Sequence, residues 1–364
     1  MAQSLAAFTP VKFVLKLVEV LYNETIYRSI ANTNYEGEIK KSGDRVRVRT
    51  SAKITLSTYT KGLTLVAQDL NPTNEDLVID QQKYFKFVVD DIDEIQNDIP
   101  TISTYAQNAK GDMSELLDTD LLSYGRKNVW GASAVGTDYA IGTIAVAVST
   151  GVVTGVGTTF TAAMVGGYLT ADLGVTYYYV SAFSSVTSIT VIDVGGTAYT
   201  GPAVGAGAAY TIKAATALAI TKSNIYQYLV QLSTVMSQKL CPRNGRFIVV
   251  NAQFEGLLRQ APEFIPAVAD AYNNVIKNGQ IGRIANFDVI FSELIDGNNT
   301  TGYWFLAGTI DFMSFAAQIM KTSVIPSEAD PNTFVSTCKG LLVWGRKVFA
   351  GNRVRGAVLR ATLA

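Results

Sequence analysis

The chain has no histidine and only two cysteines in 364 residues. Without imidazole, Ser-His-Asp and Cys-His nucleophilic systems, histidine-ligated zinc and histidine general bases are all excluded together. Cys241 and Cys338 lie far apart and make no CxxC pair. They supply no disulfide framework, fit a reduced compartment and read as small buried hydrophobes. Charge is also scarce, at 16% of residues, and 30 basic side chains cancel 30 acidic ones. A zero balance gives no global field to gather nucleic acid or an anionic membrane. So little charge also solvates a monomer's surface poorly, so neighbours are expected to cover much of it. No transmembrane segment or signal peptide is expected. Lys12, Lys16 and Glu19 break the N-terminal apolar stretch, and the uncharged run from Tyr139 to Ala171 is crowded with glycine, serine and threonine.

What is present is 48% apolar residues, enough for a sizeable core, in a chain long enough for one elaborated domain or two to three units of about 100–200 residues. Thr9-Pro10 reads as a helix cap and first position, followed by Val11, Val14, Leu17, Val18 and Leu21 at helical spacing. This predicts an N-terminal helical arm over 1–35. An extended β loop is expected over 36–90. Its first strand, RVRVRT, sets Arg45, Arg47 and Arg49 on one face and Val46 and Val48 on the other, and DLVIDQQKYFKFVVDD is its expected return strand. Ile92, Ile95, Ile99, Met113, Leu116, Leu117 and Leu121 form the stripe of a long helix over 91–130, which Pro100 and Gly111 should bend or restart.

Residues 131–212 differ in composition. They hold 14 of the 30 glycines and three charges, Asp138, Asp172 and Asp193, with no lysine or arginine. Short apolar runs between glycine turns predict an inserted all-β domain, immunoglobulin-like or a small barrel. Within it GVVTGVGTTF resembles a phosphate cradle, but it lacks the Gly-Lys-Ser/Thr of a Walker loop and the third glycine and helix of a dinucleotide turn. It reads as a β-turn with Phe160 entering a small core. No cofactor and no metal site is expected. Over 213–330 helices and strands alternate: SNIYQYLVQLSTVMSQKL, AQFEGLLRQ and IDFMSFAAQIM as helices, RFIVV, GRIANFDVIFSELI and GYWFLAGT as strands. Residues 331–364, with KGLLVWGRKVFAGNRVRGAVLRATL, read as a closing hairpin. The fold class is α+β.

In its order of parts the chain resembles the major capsid proteins of tailed double-stranded DNA phages, of the Hong Kong 97-type (HK97-like) capsid fold. The resemblance rests on the N-terminal arm, the extended loop, VIDQQKYFKFVVDDIDE joining that loop to a spine helix, NGQIGRIANFDVIFSELI in an axial domain, and LLVWGRKVFAGNRVRGAVLRA closing a peripheral domain. The glycine-rich insert after the spine helix is the departure from the family pattern. The resemblance implies a subunit, assembled in the host cytoplasm, of a virion capsid. It also implies hexamers and pentamers of one chain, scaffolding, portal, decoration and head–tail proteins as partners, and packaged DNA contacted non-specifically.

Two charge clusters then stand out. The loop carries Lys40, Lys41, Arg45, Arg47, Arg49, Lys53 and Lys61 against Asp44, and the spine helix starts with Asp90, Asp91, Asp93, Glu94 and Asp98. Arg45, Arg47, Arg49 and Lys53 of one subunit are expected to face Asp91, Asp93 and Glu94 of the next, where a helix N-terminus also favours carboxylates. Solvated faces are the alternative, since exposed pairs contribute only about 0–1 kcal/mol each. Some relatives join subunits by a lysine–asparagine isopeptide bond, but no pair is marked here. An adhesion protein with a glycan-binding β module, using Tyr177, Tyr178, Tyr179 and Phe183, is the rival reading; core packing suits those aromatics better. A carboxylate-pair hydrolase finds no two acids placed face to face.

Overall fold

Apolar runs that do not alternate build the central sheet. RFIVV, the strand Arg246–Val250 (β15), is buried at every position, as a strand covered on both faces must be. The computed structural model describes residues 25–35, 45–50, 54–69, 73–90, 101–262, 283–325 and 335–363. The helical arm expected before residue 25, Lys53, and Asp91, Asp93 and Glu94 lie outside them. The sheet runs in the order Leu218–Ile220 (β14), Gly356–Leu363 (β21), Tyr303–Thr309 (β18), β15, Phe287–Phe291 (β17) and Arg283–Ile284 (β16), with Ala134–Val135 (β5) also on β21. Helices Ile225–Gln238 and Ala252–Arg259 pack on it, burying Leu229, Leu232 and Met236 of the first and Phe254 and Leu258 of the second. The second helix is capped by Asn251, whose side chain accepts from the Phe254 N–H at 3.0 Å.

A second sheet orders Ala31–Asn32 (β1), Met313–Ile325 (β19), Val335–Lys347 (β20) and Gln81–Asp90 (β4). The spine helix, Thr101–Asn128, joins the two sheets. It runs unbroken through Gly111 instead of restarting there; Pro100 lies outside the described residues. Gly125 lies where a Cβ would stand 2.7 Å from Met313 Sδ and 2.9 Å from Leu306 Cδ2, so the missing side chain lets the helix settle onto both sheets. On the same helix Asp120 accepts from Trp344 Nε1 at 3.0 Å and pairs with Arg346 at 2.6 Å, fixing β20.

Three expectations for these parts are corrected. IDFMSFAAQIM is not a helix but the start of β19. Phe315, Ala316 and Ala317 are all buried, and an apolar run covered on both sides has no period to separate helix from strand; pairing along β20 decides it. The return strand of the loop divides at Ile79-Asp80. Thr73–Val78 (β3) pairs with Arg45–Thr50 (β2), whereas β4 leaves the ribbon and pairs with β20. The C-terminal strands form no hairpin, because β20 and β21 belong to different sheets, joined through the 3-10 turn Ala350–Arg355.

The glycine-rich region forms an eight-stranded sheet ordered Val204–Ala208 (β12), Thr143–Val146 (β7), Val152–Val156 (β8), Ser188–Asp193 (β11), Tyr178–Ser185 (β10), Tyr168–Thr170 (β9), Thr211–Thr216 (β13) and Thr137–Tyr139 (β6). Its core includes Ile144, Val153, Phe160, Leu169, Val180, Ile189, Val191 and Ile212, each nearly inaccessible. GVVTGVGTTF is β8 between Gly151 and Gly157, which turn the chain at φ 62° and 71°. The seam differs from the composition boundary: after the 3-10 turn Gly131–Ser133, Ala134 and Val135 belong to the central sheet, and 213–216 belong to the insert. Ala134 and Val135 resemble the insert in composition, but they are buried against β21.

The register shows how the insert is spliced in. Both β5 and β14 run parallel to β21 on the same edge, with Val135 opposite Leu359 and Leu218 opposite Ala361. Together they are one edge strand cut open at the position facing Arg360. The chain leaves and returns on adjacent antiparallel strands, Thr137 paired with Thr216.

Candidate assembly site

Alternation in RVRVRT gives the β2–β3 ribbon two different faces. Val46 and Val48 pack with Leu77, Ile79, Val343 and Phe349, and the Glu75 carboxylate accepts from the Ala350 N–H at 3.1 Å, so the ribbon's root is tied to the body. Arg45, Arg47 and Arg49 are exposed on the other face. Arg47 already has a partner within the chain. It is cross-strand from Asp76 and donates to both carboxylate oxygens, at 2.8 and 3.2 Å, an arrangement that holds the Asp76 carboxyl below its usual range. Arg45 comes within 3.8 Å of the same carboxylate. Arg49 stands opposite Asn74 and makes no ion pair among the described residues. The three arginines are therefore not equivalent.

Beyond the ribbon, 54–69 exposes Ile54, Leu56, Tyr59, Leu63, Leu65 and Val66, with Leu56 and Val66 at 94% and 91%. Thr55 and Gln68 bridge the two limbs, amide to carbonyl in both directions, at 3.1 and 2.7 Å. A second exposed surface lies on the β4–β20 face. Tyr84 is 82% exposed opposite Leu341, and Lys86 is directly opposite Lys339, a like-charge pairing that costs stability in an isolated sheet. Apolar surface on this scale marks contact with another molecule. The alternation in ITLSTYTKGLTLV carries the signal for these loop residues, which charge does not mark.

At the base of the N-terminal segment, buried Asp118 of the spine helix accepts from Ile26 N–H at 3.0 Å and Tyr27 N–H at 2.9 Å. Burial pushes its carboxyl up to about 6 despite these donors, and Glu115 adds to the rise. Tyr27 also meets Phe315 with ring centroids 5.2 Å apart, and β1 adds parallel to β19.

The insert is attached to the body through aromatics and two arginines. Tyr168, Tyr177 and Tyr179 join the main core, while Tyr178, on the other face of its strand, packs on the insert's own cluster, as does Phe183. Arg126 donates to Tyr179 Oη at 2.5 Å and pairs with Asp296 at 3.3 Å. Arg360, 2% exposed, donates to the carbonyls of Ala214 (3.0 Å), Ala215 (2.8 Å), Ala163 (2.6 Å) and Thr301 (3.0 Å). Burial, with Arg126 nearby, pushes its guanidinium down to about 10, so it stays charged at neutral pH.

Among the described residues no cluster of histidine, cysteine, aspartate and glutamate is placed to hold a metal ion, and no helix is long and apolar enough to cross a membrane. Burial raises both thiols, which suits packing and not nucleophilic work.

Residues 182–359 match a family model described as phage capsid protein. No curated protein matches the chain. Among solved structures it is similar to one from Mycobacterium phage Che8, at 18% identity and a TM-score of 0.62, covering 97% of each chain. It is also similar to the capsid of the cyanophage P-SCSP1u, at 11% identity and a TM-score of 0.62, covering 100% of this chain and 95% of that one. The capsid of Myoviridae phage XM1 is a third, at 9% identity and a TM-score of 0.53, covering 99% of each. Such low identities speak for the fold, and the family model speaks for the role. The two agree: the chain has the Hong Kong 97-type fold of phage capsids, and its match to the phage capsid protein family supports a structural role in the virion capsid.

Proposed function

We propose that the subunit closes into hexamers and pentamers of an icosahedral head around double-stranded DNA, with its β ribbon laid across the neighbouring subunit. The observation that carries this reading is the exposed apolar face of 54–69 at the end of a ribbon whose root is pinned to the body. A ring-closing contact repeated between identical chains would cover it. Arg49, Arg45 and Lys53 are the cations assigned to face Asp91, Asp93 and Glu94 of the next subunit. Arg47 contributes mainly by holding the ribbon through Asp76, and the acids gain further from the helix start they precede. Scaffolding, portal and decoration proteins, and non-specific contact with packaged DNA, complete the partners of the proposal.

The test is charge reversal. Arg49→Glu is expected to reduce particle yield in electron micrographs without lowering the unfolding temperature, and adding Asp91→Lys with Asp93→Lys should restore part of it. Equal yields for the single and combined variants would remove the pairing from the proposal.

A further inference from the structure

Where the insert meets the body, a cup of about 270 Å3 opens between Tyr178, Asp193, Thr197, Thr200 and Arg353. Its walls come from two parts of the fold: the insert supplies all but Arg353, which belongs to the 3-10 turn leading into β21. The walls are held in place. Asp193 anchors its own turn through Asp193 N–H to Thr197 O at 3.0 Å and Gly196 N–H to Asp193 O at 3.1 Å, while Gly195 N–H reaches Lys127 O at 3.1 Å on the spine helix. The Asp193 carboxylate accepts from Thr200 N–H at 3.2 Å and from Thr200 Oγ1, leaving acceptor sites among its roughly four lone pairs. Arg353 is under-used: its Nη2 makes one long contact, 3.5 Å to Val194 O, and its buried Nε–H has no partner among the described residues.

The chemistry narrows the ligand. An anion suited to Arg353 would meet the Asp193 carboxylate, and a cation suited to Asp193 would meet the guanidinium. An apolar molecule would strand both charges and the threonine hydroxyls. A neutral molecule with several hydroxyls satisfies both walls, donating to Asp193 and accepting from Arg353. The volume falls below the roughly 300–1,000 Å3 of sites for drug-sized ligands, which fits about one ring. We propose that this cup binds a single saccharide unit.

The test uses the full chain and saturation-transfer NMR with the methyl glycosides of glucose, galactose and N-acetylglucosamine, with glycine and inorganic phosphate as competitors. At least one glycoside should receive transfer, and Arg353→Gln and Asp193→Asn should each reduce it fivefold or more. Thr197→Val, at an exposed position, gives a milder variant should either of those unfold. Absence of transfer to all three glycosides, transfer unchanged in the variants, or displacement by glycine or phosphate would overturn the proposal. Micrographs of the same samples separate the two ideas, since particles without glycoside binding would sink only this one.

Discussion

Arg360 and Trp304 are cross-strand partners in the central sheet, and the guanidinium carbon lies 4.5 Å from the indole ring centroid. Arg126 is 4.9 Å from the same ring, so two cations share one aromatic. Arg360 also faces the cut in the edge strand, and its donors go to carbonyls of the inserted segment, of the turn Ala162–Met164 and of the loop before β18. It carries a buried charge balanced by backbone dipoles instead of a carboxylate. Arg360→Leu should leave four carbonyls without this donor, at a cost of about 2–4 kcal/mol. Arg360→Lys should recover only part of that, since one ammonium cannot reach all four. Thermal unfolding of the three proteins checks the order.

The splice makes a second expectation. Replacing 137–216 with a short linker should rejoin β5 and β14 as one strand along β21, most cleanly when Arg360→Leu is added to remove the stranded charge. The shortened chain should fold and still form particles, as judged by circular dichroism and negative stain; an aggregated product would show that the insert is needed for the body to fold.

Asp118 predicts a pH dependence. Its carboxyl titrates near 6 in the folded chain and near 4 when unfolded, so the native state holds the extra proton between these values. Its contribution is complete below about pH 4 and is lost as pH rises through 6, amounting to on the order of 3 kcal/mol. Asp118→Asn keeps an acceptor for Ile26 and Tyr27 and should flatten stability between pH 4 and 6.5 relative to the wild type. Asp118→Ala strands both N–H groups and should lose about 1–3 kcal/mol at either end. Denaturant unfolding at both pH values measures each.

Leu56→Asp and Val66→Asp touch nothing within the described chain. Each should alter subunit stability by no more than about 0.5 kcal/mol yet strongly reduce particle yield. Sedimentation together with urea unfolding distinguishes the two effects, and normal particles from the double variant would exclude this surface from assembly.

What the sequence disclosed follows the range of the interactions involved. RVRVRT shows its two faces because alternation is a local property, and SNIYQYLVQLSTVMSQKL shows its helix because its stripe repeats over several turns. IDFMSFAAQIM misleads because its strand is set by β20, outside the segment itself. The division of the loop's return strand at Ile79 is hidden for the same reason. Arg360 reads as one more cation in a basic C-terminal stretch; only the register of β5 and β14 against β21 shows that it faces the cut. Of the charge clusters, the ribbon arginines were legible, but the partnership of Arg47 with Asp76 depends on a pairing between strands far apart in sequence.

The way the insert is carried has a consequence for what else this subunit could hold. Thr137 and Thr216 are paired neighbours, which sets their Cα atoms about 4.5–5.5 Å apart, and the central sheet meets the intervening chain at one edge position. Any foreign domain whose two ends lie that close together could be exchanged for it without shifting the register of the strands beneath. The subunit thus has a ready attachment point, at which another folded domain, such as an enzyme, could be carried once per copy.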